Sequence, residues 1–283
     1  MDNNIKEFYP LISVVTVSYN SEKYIEQTII SVISQSYRNI EYIIIDGGSY
    51  DGTLDIINKY QDNIDYWVSE KDDGIYDAIN KGILYAHGDW IGLINSDDWY
   101  AQDAIEKVIE SARNNQDVDI FYGNIISIDD GNKYRKKIGS HFNLFEEWNV
   151  PHPTCFVSRK TYKAEQYDPK YKVSGDFDYI LRQYYLGKKF FHIDHSLVYF
   201  RRTGISNKPI YQCVKDRFEI RNRYSTRGAI KMFIKDNISY IDEILFGLNK
   251  KIEHMDFFRN KFVYFIYTFI KIPFVKLIHL LKK

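Results

Sequence analysis

Cysteine is scarce: Cys155 and Cys213 are the only two in 283 residues, far apart and in no CxxC pair. That rules against a disulfide framework and favours a reducing compartment. Excess charge is missing as well. Lys+Arg and Asp+Glu are 38 each, so no global field points to nucleic acid, and no nucleic-acid partner is expected. No window reaches the length of a charge-free transmembrane helix. The first ten residues, MDNNIKEFYP, have no basic flank and no apolar run, so no signal peptide is expected. Internal repeats and low-complexity segments are lacking. So are the GxGxxG fingerprint of dinucleotide binders and the GxxxxGK[ST] of P-loops. What remains is a chain that is 45% hydrophobic, enough for a sizeable core, with 25 Tyr and 18 Phe.

The apolar residues fall into a repeating order. LISVVTVSY (Leu11 to Tyr19), IEYIII (Ile40 to Ile45), DYWV and WIGLI are short runs, the longer ones β-branched, as expected of strands buried on both faces. Between them the spacing is helical: Ile25, Ile29, Val32 and Ile33; then Leu54, Ile57 and Tyr60; then Ile75, Ala78, Ile79, Ile83 and Ala86. QDAIEKVIESARNN is helical again. The first ~120 residues therefore predict an α/β architecture, a parallel sheet with helices on both faces. Right-handed crossovers put the carboxyl ends of such strands on one edge, where ligands bind. Four polar loops, SYNS, DGGSYDGT, SEKDDG and NSDD, should converge there. From Asp119 to Phe200, strand-like pieces around the helix FDYILRQYYLG suggest a mixed sheet finishing the same domain; from Ile210 only helices are expected.

Three segments carry candidate chemistry. In NSDD, a carboxylate at the end of a buried strand suits a hard divalent cation, with Asp97 the ligand and Asn95 able to reach a sugar hydroxyl. The plain alternative is that Asp97 or Asp98 caps the next helix or closes a turn. In DGGSYDGT, the glycines let backbone approach a planar ligand and Asp46 can accept from a base N–H, while Asp51 reads as a helix cap. In SGDFDYILR, Asp178 reads as a helix-start acid and Asp176, after Gly175, as a general base.

The ordered set VVTVSYN, DGGSYDGT, GIYDAINKG and NSDD resembles the family 2 glycosyltransferases, over roughly residues 11 to 206. The DGGSxDGT and GIYDAxNKG variants are similar to enzymes of bacterial exopolysaccharide, capsule and lipopolysaccharide assembly. The resemblance implies a GT-A fold, a Rossmann-like nucleotide-diphospho-sugar transferase with a mostly parallel central sheet flanked by helices. Residues 1–208 would form this domain, with 1–120 the nucleotide-sugar half and 121–208 the acceptor side; 209–283 would be a helical extension. It implies an inverting transferase that moves a sugar from a nucleoside diphosphate, with a UDP-sugar favoured, to a saccharide hydroxyl. Tyr19 and Asp46 would contact the base. Asn95 and Ser96 would bind the nucleotide sugar, with Lys81 and Arg201 helping to stabilise its diphosphate. Asp97 would hold Mn²⁺ or Mg²⁺, Asp176 would be the catalytic base, and His152 would meet diphosphate or acceptor. Two positions depart from the pattern: Gly47 stands where the family has a second acid, and Asn95 replaces the first acid of DxD. His152, Lys81 and Arg201 each have an ordinary reading as well, as a packing residue, a solvated helix charge and an edge-strand charge.

Phe257 to Lys283 carries six basic residues and no acid around an aromatic, apolar stretch interrupted by Pro273. That composition fits a helix lying in a membrane interface, which would place a cytoplasmic enzyme against the inner leaflet and a lipid-linked acceptor. The alternative is a helix docked on the main domain or on a partner subunit, and a homo-oligomer is compatible with this. Two rival functions stand beside the transferase. A nucleotidyltransferase should show a glycine-rich, basic loop after the first strand, which SYNSEKY lacks. A degenerate nucleotide-sugar binder or assembly scaffold takes support from Asn95.

Overall fold

The computed structural model describes residues 8–128, 134–202 and 210–237. The chain divides into a unit ending at Asn207 and a second beginning at Lys208. In the first unit, β1 (Ile12–Ser18), β2 (Ile40–Asp46), β3 (Tyr66–Ser69) and β4 (Trp90–Asn95) are parallel in the order β3-β2-β1-β4. All seven residues of β1 are buried, as its unbroken β-branched run requires. Helices α1 (Ile25–Ile33), α2 (Thr53–Lys59) and α3 (Ile75–Tyr85) make the crossovers. Their buried positions include Ile25, Ile29 and Val32 on α1 and Ala78, Ile79 and Ile83 on α3. Ile75, expected on the inward face of α3, is 40% exposed, and Tyr76 goes inward in its place.

Beyond β4 the pairing becomes mixed. A two-residue β5 (Trp99–Tyr100) and α4 (Ala104–Asn114) lead into β6 (Ile120–Ile128). β7 (Tyr134–Lys137) pairs antiparallel with β6. β8 (Phe156–Ser158) runs antiparallel to both β4 and β6, so it seals the second half onto the first. α5 (Arg159–Ala164), α6 (Gly175–Tyr185) and β9 (Phe190–Arg201) follow. β9 is parallel to β6 and antiparallel to β5. One apolar cluster joins both halves through Ile12, Ile44, Ile94, Ile105, Phe121, Phe156 and Leu197. Each such side chain contributes about 1.5–3 kcal/mol on burial.

The order β2-β1-β4 places the reversal of strand order at β1. Open α/β sheets bind ligands in the crevice outside the carboxyl ends at that point. In the second unit, α7 (Ile210–Asn222) and a helical stretch over 226–237 are described, and Nη1 of the buried Arg221 donates to Oδ2 of Asp236 at 2.6 Å. The basic, aromatic segment 257–283 and its expected membrane role lie outside the described residues. No described helix is long and apolar enough to cross a membrane.

Candidate functional site at the carboxyl edge

The crevice is built from the loops after β1 and β4. Asn20 turns the chain with φ of 48°, a conformation Asn tolerates better than most residues. Its backbone N–H donates to Ser49 Oγ at 2.8 Å, and its side-chain oxygen accepts from the backbone of Tyr50 at 3.1 Å. Ser21 and Ser96 hydroxyls meet at 2.7 Å across the crevice. The loops after β1, β2 and β4 are thus tied together by short polar side chains. Tyr19 and Tyr50 remain 55% and 83% exposed above them, edge to face.

The two adjacent acids of NSDD point to different surroundings. Asp98 is fully buried, and its Oδ1 accepts from the backbone N–H of Arg201 at 2.9 Å. The hydroxyl of Thr28 donates to its carbonyl at 2.6 Å. Burial and the neighbouring Asp97 hold its carboxyl well above the usual range. Asp98 therefore clamps α1 and β9 to the turn. Asn95 stands close enough to Asp98 to favour its charged form. An acid at 95 would instead add a third negative charge to the cluster. Asp97 is half-buried and has no place in the cap of α4, which starts seven residues beyond it. Burial raises its pKa, opposed by its own backbone N–H and by Arg201.

Arg201 is held rather than free. Its Nε donates to the carbonyl of Asp97 at 3.0 Å, and Nη2 donates to Gln27. The guanidinium lies 4.4 Å from the ring centre of Tyr24 and 4.6 Å from that of Trp99. A cation is thus fixed beside the Asp97 carboxylate. Among the described residues no group of three metal-ligating side chains occurs. That donor set fits a hard cation taking one protein carboxylate and completing its shell from a diphosphate and water, as Mg²⁺ commonly does.

Asp46, expected to meet a base, is fully buried at the end of β2. Its carboxylate accepts five hydrogen bonds, from the hydroxyls of Ser18, Ser49 and Ser69 and the backbone N–H groups of Gly48 and Ser49. A carboxylate has about four lone-pair sites. In this arrangement Asp46 has no acceptor site left for a base N–H, and its visible work is to shape the glycine loop. Asp51, expected to cap α2, stands one residue before the cap position, which is Gly52; its Oδ1 accepts from the backbone N–H of Thr53 at 3.0 Å in a turn that leads into the helix. Lys81 Nζ pairs with Glu70 at 2.9 Å and Asp77 at 3.5 Å, so its contacts are with its own helix and the preceding loop.

The second half brings His152 and Asp176 to the same edge. The β4–β8 register ends at Gly92–Phe156, so the residues preceding Phe156 run beside the carboxyl end of β4. There His152–Thr154 form a 3-10 turn. Nε2 of His152 lies 2.6 Å from Tyr167 Oη; burial lowers the imidazole pKa, and the charge of Asp176 opposes that. Asp176 stands half-buried in the first turn of α6, its Oδ1 accepting from the backbone of Phe177 at 2.7 Å. Its neighbour Asp178 is fully buried and paired with Arg182 at 3.0 Å, which makes it a structural acid rather than a surface complement to the helix dipole. Burial drives the Cys155 thiol far up in pKa, so it is an inert packing group.

Several contributors escaped the sequence reading. Tyr76 Oη donates to the carbonyl of Val173 at 2.9 Å and lies 3.4 Å from Asp176 Oδ1. Its ring lies flat against Gly175, where a Cβ would approach within 2.7 Å. One helical turn on, Asn80 exchanges two hydrogen bonds with the backbone of Tyr167. The i, i+4 spacing of Tyr76 and Asn80 within GIYDAINKG was the available signal: two polar groups on the face of α3 that meets the second half.

Residues 13–202 match the family described as Glycosyl transferase family 2. The chain belongs to this family. An uncharacterized glycosyltransferase of Methanocaldococcus jannaschii is 31% identical over 213 residues, covering 70% of this chain and 73% of that one. A putative teichuronic acid biosynthesis glycosyltransferase of Bacillus subtilis is 40% identical over 104 residues, 36% of this chain and 41% of its own. The structure of S. aureus TarS residues 1–349 in complex with UDP superposes with a TM-score of 0.60 at 17% identity, covering 82% of this chain and 72% of that one. Against a longer TarS chain the coverage is 43% of its length. This likeness shows that the family 2 chain has the GT-A fold.

Proposed function

We propose that this family 2 glycosyltransferase is an inverting enzyme of bacterial surface-polysaccharide synthesis, using a UDP-sugar donor and a saccharide acceptor, with a lipid-linked acceptor the favoured case. What supports the reading is that two separate acids lie toward one sheet edge: Asp97 two residues beyond the end of β4, and Asp176 within electrostatic reach of His152, whose turn runs beside that strand end. The teichuronic acid relative and the UDP complex of TarS support the pathway class and the donor class.

In this reading the Tyr19 ring covers the base, and Asn95 and Ser96 meet the ribose and diphosphate. Asp97 is the carboxylate that would hold Mn²⁺ or Mg²⁺, and such an ion neutralises charge on the departing diphosphate. Arg201 adds a fixed positive charge beside Asp97, and His152 orients acceptor or diphosphate. Asp176, ionised, takes the proton of the acceptor hydroxyl as that oxygen attacks. Attack from the face opposite the leaving group inverts the anomeric centre, and no second carboxylate nucleophile is needed. Lys81, engaged by Glu70 and Asp77, acts on the diphosphate only if those pairs open.

The test is diphosphate release from a panel of nucleotide sugars, with and without Mn²⁺ or Mg²⁺, on lipid-linked and free saccharides. Asp97→Ala and Asp176→Asn should each lower transfer by about a hundredfold or more while the melting curve stays cooperative. Unchanged transfer by Asp176→Asn would remove the assigned base. Donor binding with no transfer to any acceptor would favour a nucleotide-sugar-binding scaffold.

A further inference from the structure

The saturated Asp46 leaves the donor base without its expected acceptor, and the neighbouring loop supplies another. Glu70 N–H donates to the Asp46 carbonyl at 3.0 Å, so the segment after β3 continues alongside the glycine loop. Gly47 lies directly under the carboxylate of Asp72. A Cβ at Gly47 would lie 2.5 Å from Asp72 Oδ2 and 3.5 Å from a ring carbon of Tyr19. The volume that a side chain at 47 would fill is therefore taken by the carboxylate of a different loop, beside an exposed aromatic ring. Oδ1 of Asp72 accepts from the backbone of Gly74 at 2.9 Å, which fixes the side chain. Oδ2 has no donor among the described residues, and the side chain is half-exposed.

We infer that Asp72, acting through Oδ2 over Gly47, is the residue that reads the donor's base, in place of Asp46. This rests on the proposed UDP-sugar reading and assigns the residue that recognises its base. One presented acceptor oxygen beside a stacking ring suits a base with a single imide N–H, which is uracil or thymine. Cytosine turns a lone pair toward the same point and is repelled. Guanine offers two adjacent donors, and Asp72 has one oxygen already engaged. Asp46 is then a positioning residue that holds the glycine loop flat beneath Asp72.

Calorimetry with UDP, TDP, CDP and GDP, without sugar or acceptor, tests this separately from transfer. The wild-type chain should bind UDP and TDP about tenfold or more tighter than CDP. Asp72→Asn keeps an acceptor for Gly74 and should fold normally, but its amide can also donate, so the UDP-to-CDP ratio should fall to about threefold or less. Gly47→Asp alone should weaken UDP binding through the clash with Asp72. Asp72→Ala combined with Gly47→Asp returns an acid to the same place and should recover UDP preference. An unchanged UDP-to-CDP ratio in a folded Asp72→Asn overturns the inference even if wild-type transfer proceeds. Base discrimination that is lost in Asp72→Asn, in a protein that transfers no sugar, overturns the transferase reading and leaves the inference standing.

Discussion

The two halves of the sheet domain hold their acids by different means. From Ile12 to Asp98, hydroxyls and amides of neighbouring loops bond to one another: Ser18, Ser49 and Ser69 on Asp46, Ser21 on Ser96, Asn20 on Ser49. From Trp99 to Arg201, aromatic packing dominates. Tyr167 stacks on Tyr179 with centroids 4.4 Å apart and on Tyr76 at 5.7 Å, and Tyr162 stacks on Tyr179 at 5.2 Å. Short polar side chains on the ends of rigid parallel strands define one rim closely. The acid of the other half sits at a helix start, which strand pairing does not reach. Tyr76 reaches it from α3, and Asn80 on the same helix holds the backbone of Tyr167.

The largest effect should come from the chemistry at the join. Asp176→Asn keeps the bond to Phe177 N–H but cannot take a proton, so kcat should fall by about 10²–10⁴ with KM for the donor little changed. An equal loss in donor affinity would mean that Asp176 belongs to the donor rim instead. Next comes the bridge. Asn80→Ala removes both bonds to the Tyr167 backbone and should cost about 2 kcal/mol in urea unfolding, with kcat lowered because Tyr167 no longer steadies His152. A stability loss without any change in kcat would make the bridge purely structural. Arg201→Lys should cost about 1–2 kcal/mol, since Lys cannot lie flat between Tyr24 and Trp99, and should raise donor KM about tenfold.

The parallel half was largely legible because its signals are long. Unbroken β-branched runs and 3.6-residue spacing located β1 to β4 and three helices, and the strand ends named the rim loops. β5, at two residues, is too short to leave a pattern; β7, YRKK, is exposed at all four positions and carries no apolar alternation; and α5 is a six-residue helix capped at its start by Ser158. Within the site, Asp97 and Asp98 are adjacent letters whose difference lies in what packs around them, and that depends on Thr28 and Arg201 far along the chain. The saturation of Asp46 is equally nonlocal, since its donors come from three segments. The absence of a side chain at Gly47 was visible, but that Asp72 fills the space needed the folded loops.

The smallest effect sharpens the contrast by pH. His141, His152 and His192 all lie in the second half, and burial lowers the pKa of each. Each imidazole has a hydrogen-bond neighbour: Tyr122 Oη at 2.7 Å, Tyr167 Oη at 2.6 Å and Asn124 Oδ1 at 2.8 Å. In the unfolded chain these rings titrate near pH 6.5. Below that, the unfolded chain binds more protons than the folded one, so stability is full above about pH 6.5 and declines as pH falls toward the lowered values. Amide exchange, corrected for intrinsic rates, should therefore show protection in Ile120–Ile128 and Phe190–Arg201 dropping between pH 7.5 and 5.5 more than protection in Ile12–Ser18. His192→Gln retains a donor for Asn124 but cannot titrate, and it should flatten part of that drop. Equal losses in β1 and β9 would mean that the halves open as one unit, with the aromatic half no softer than the hydroxyl-tied half.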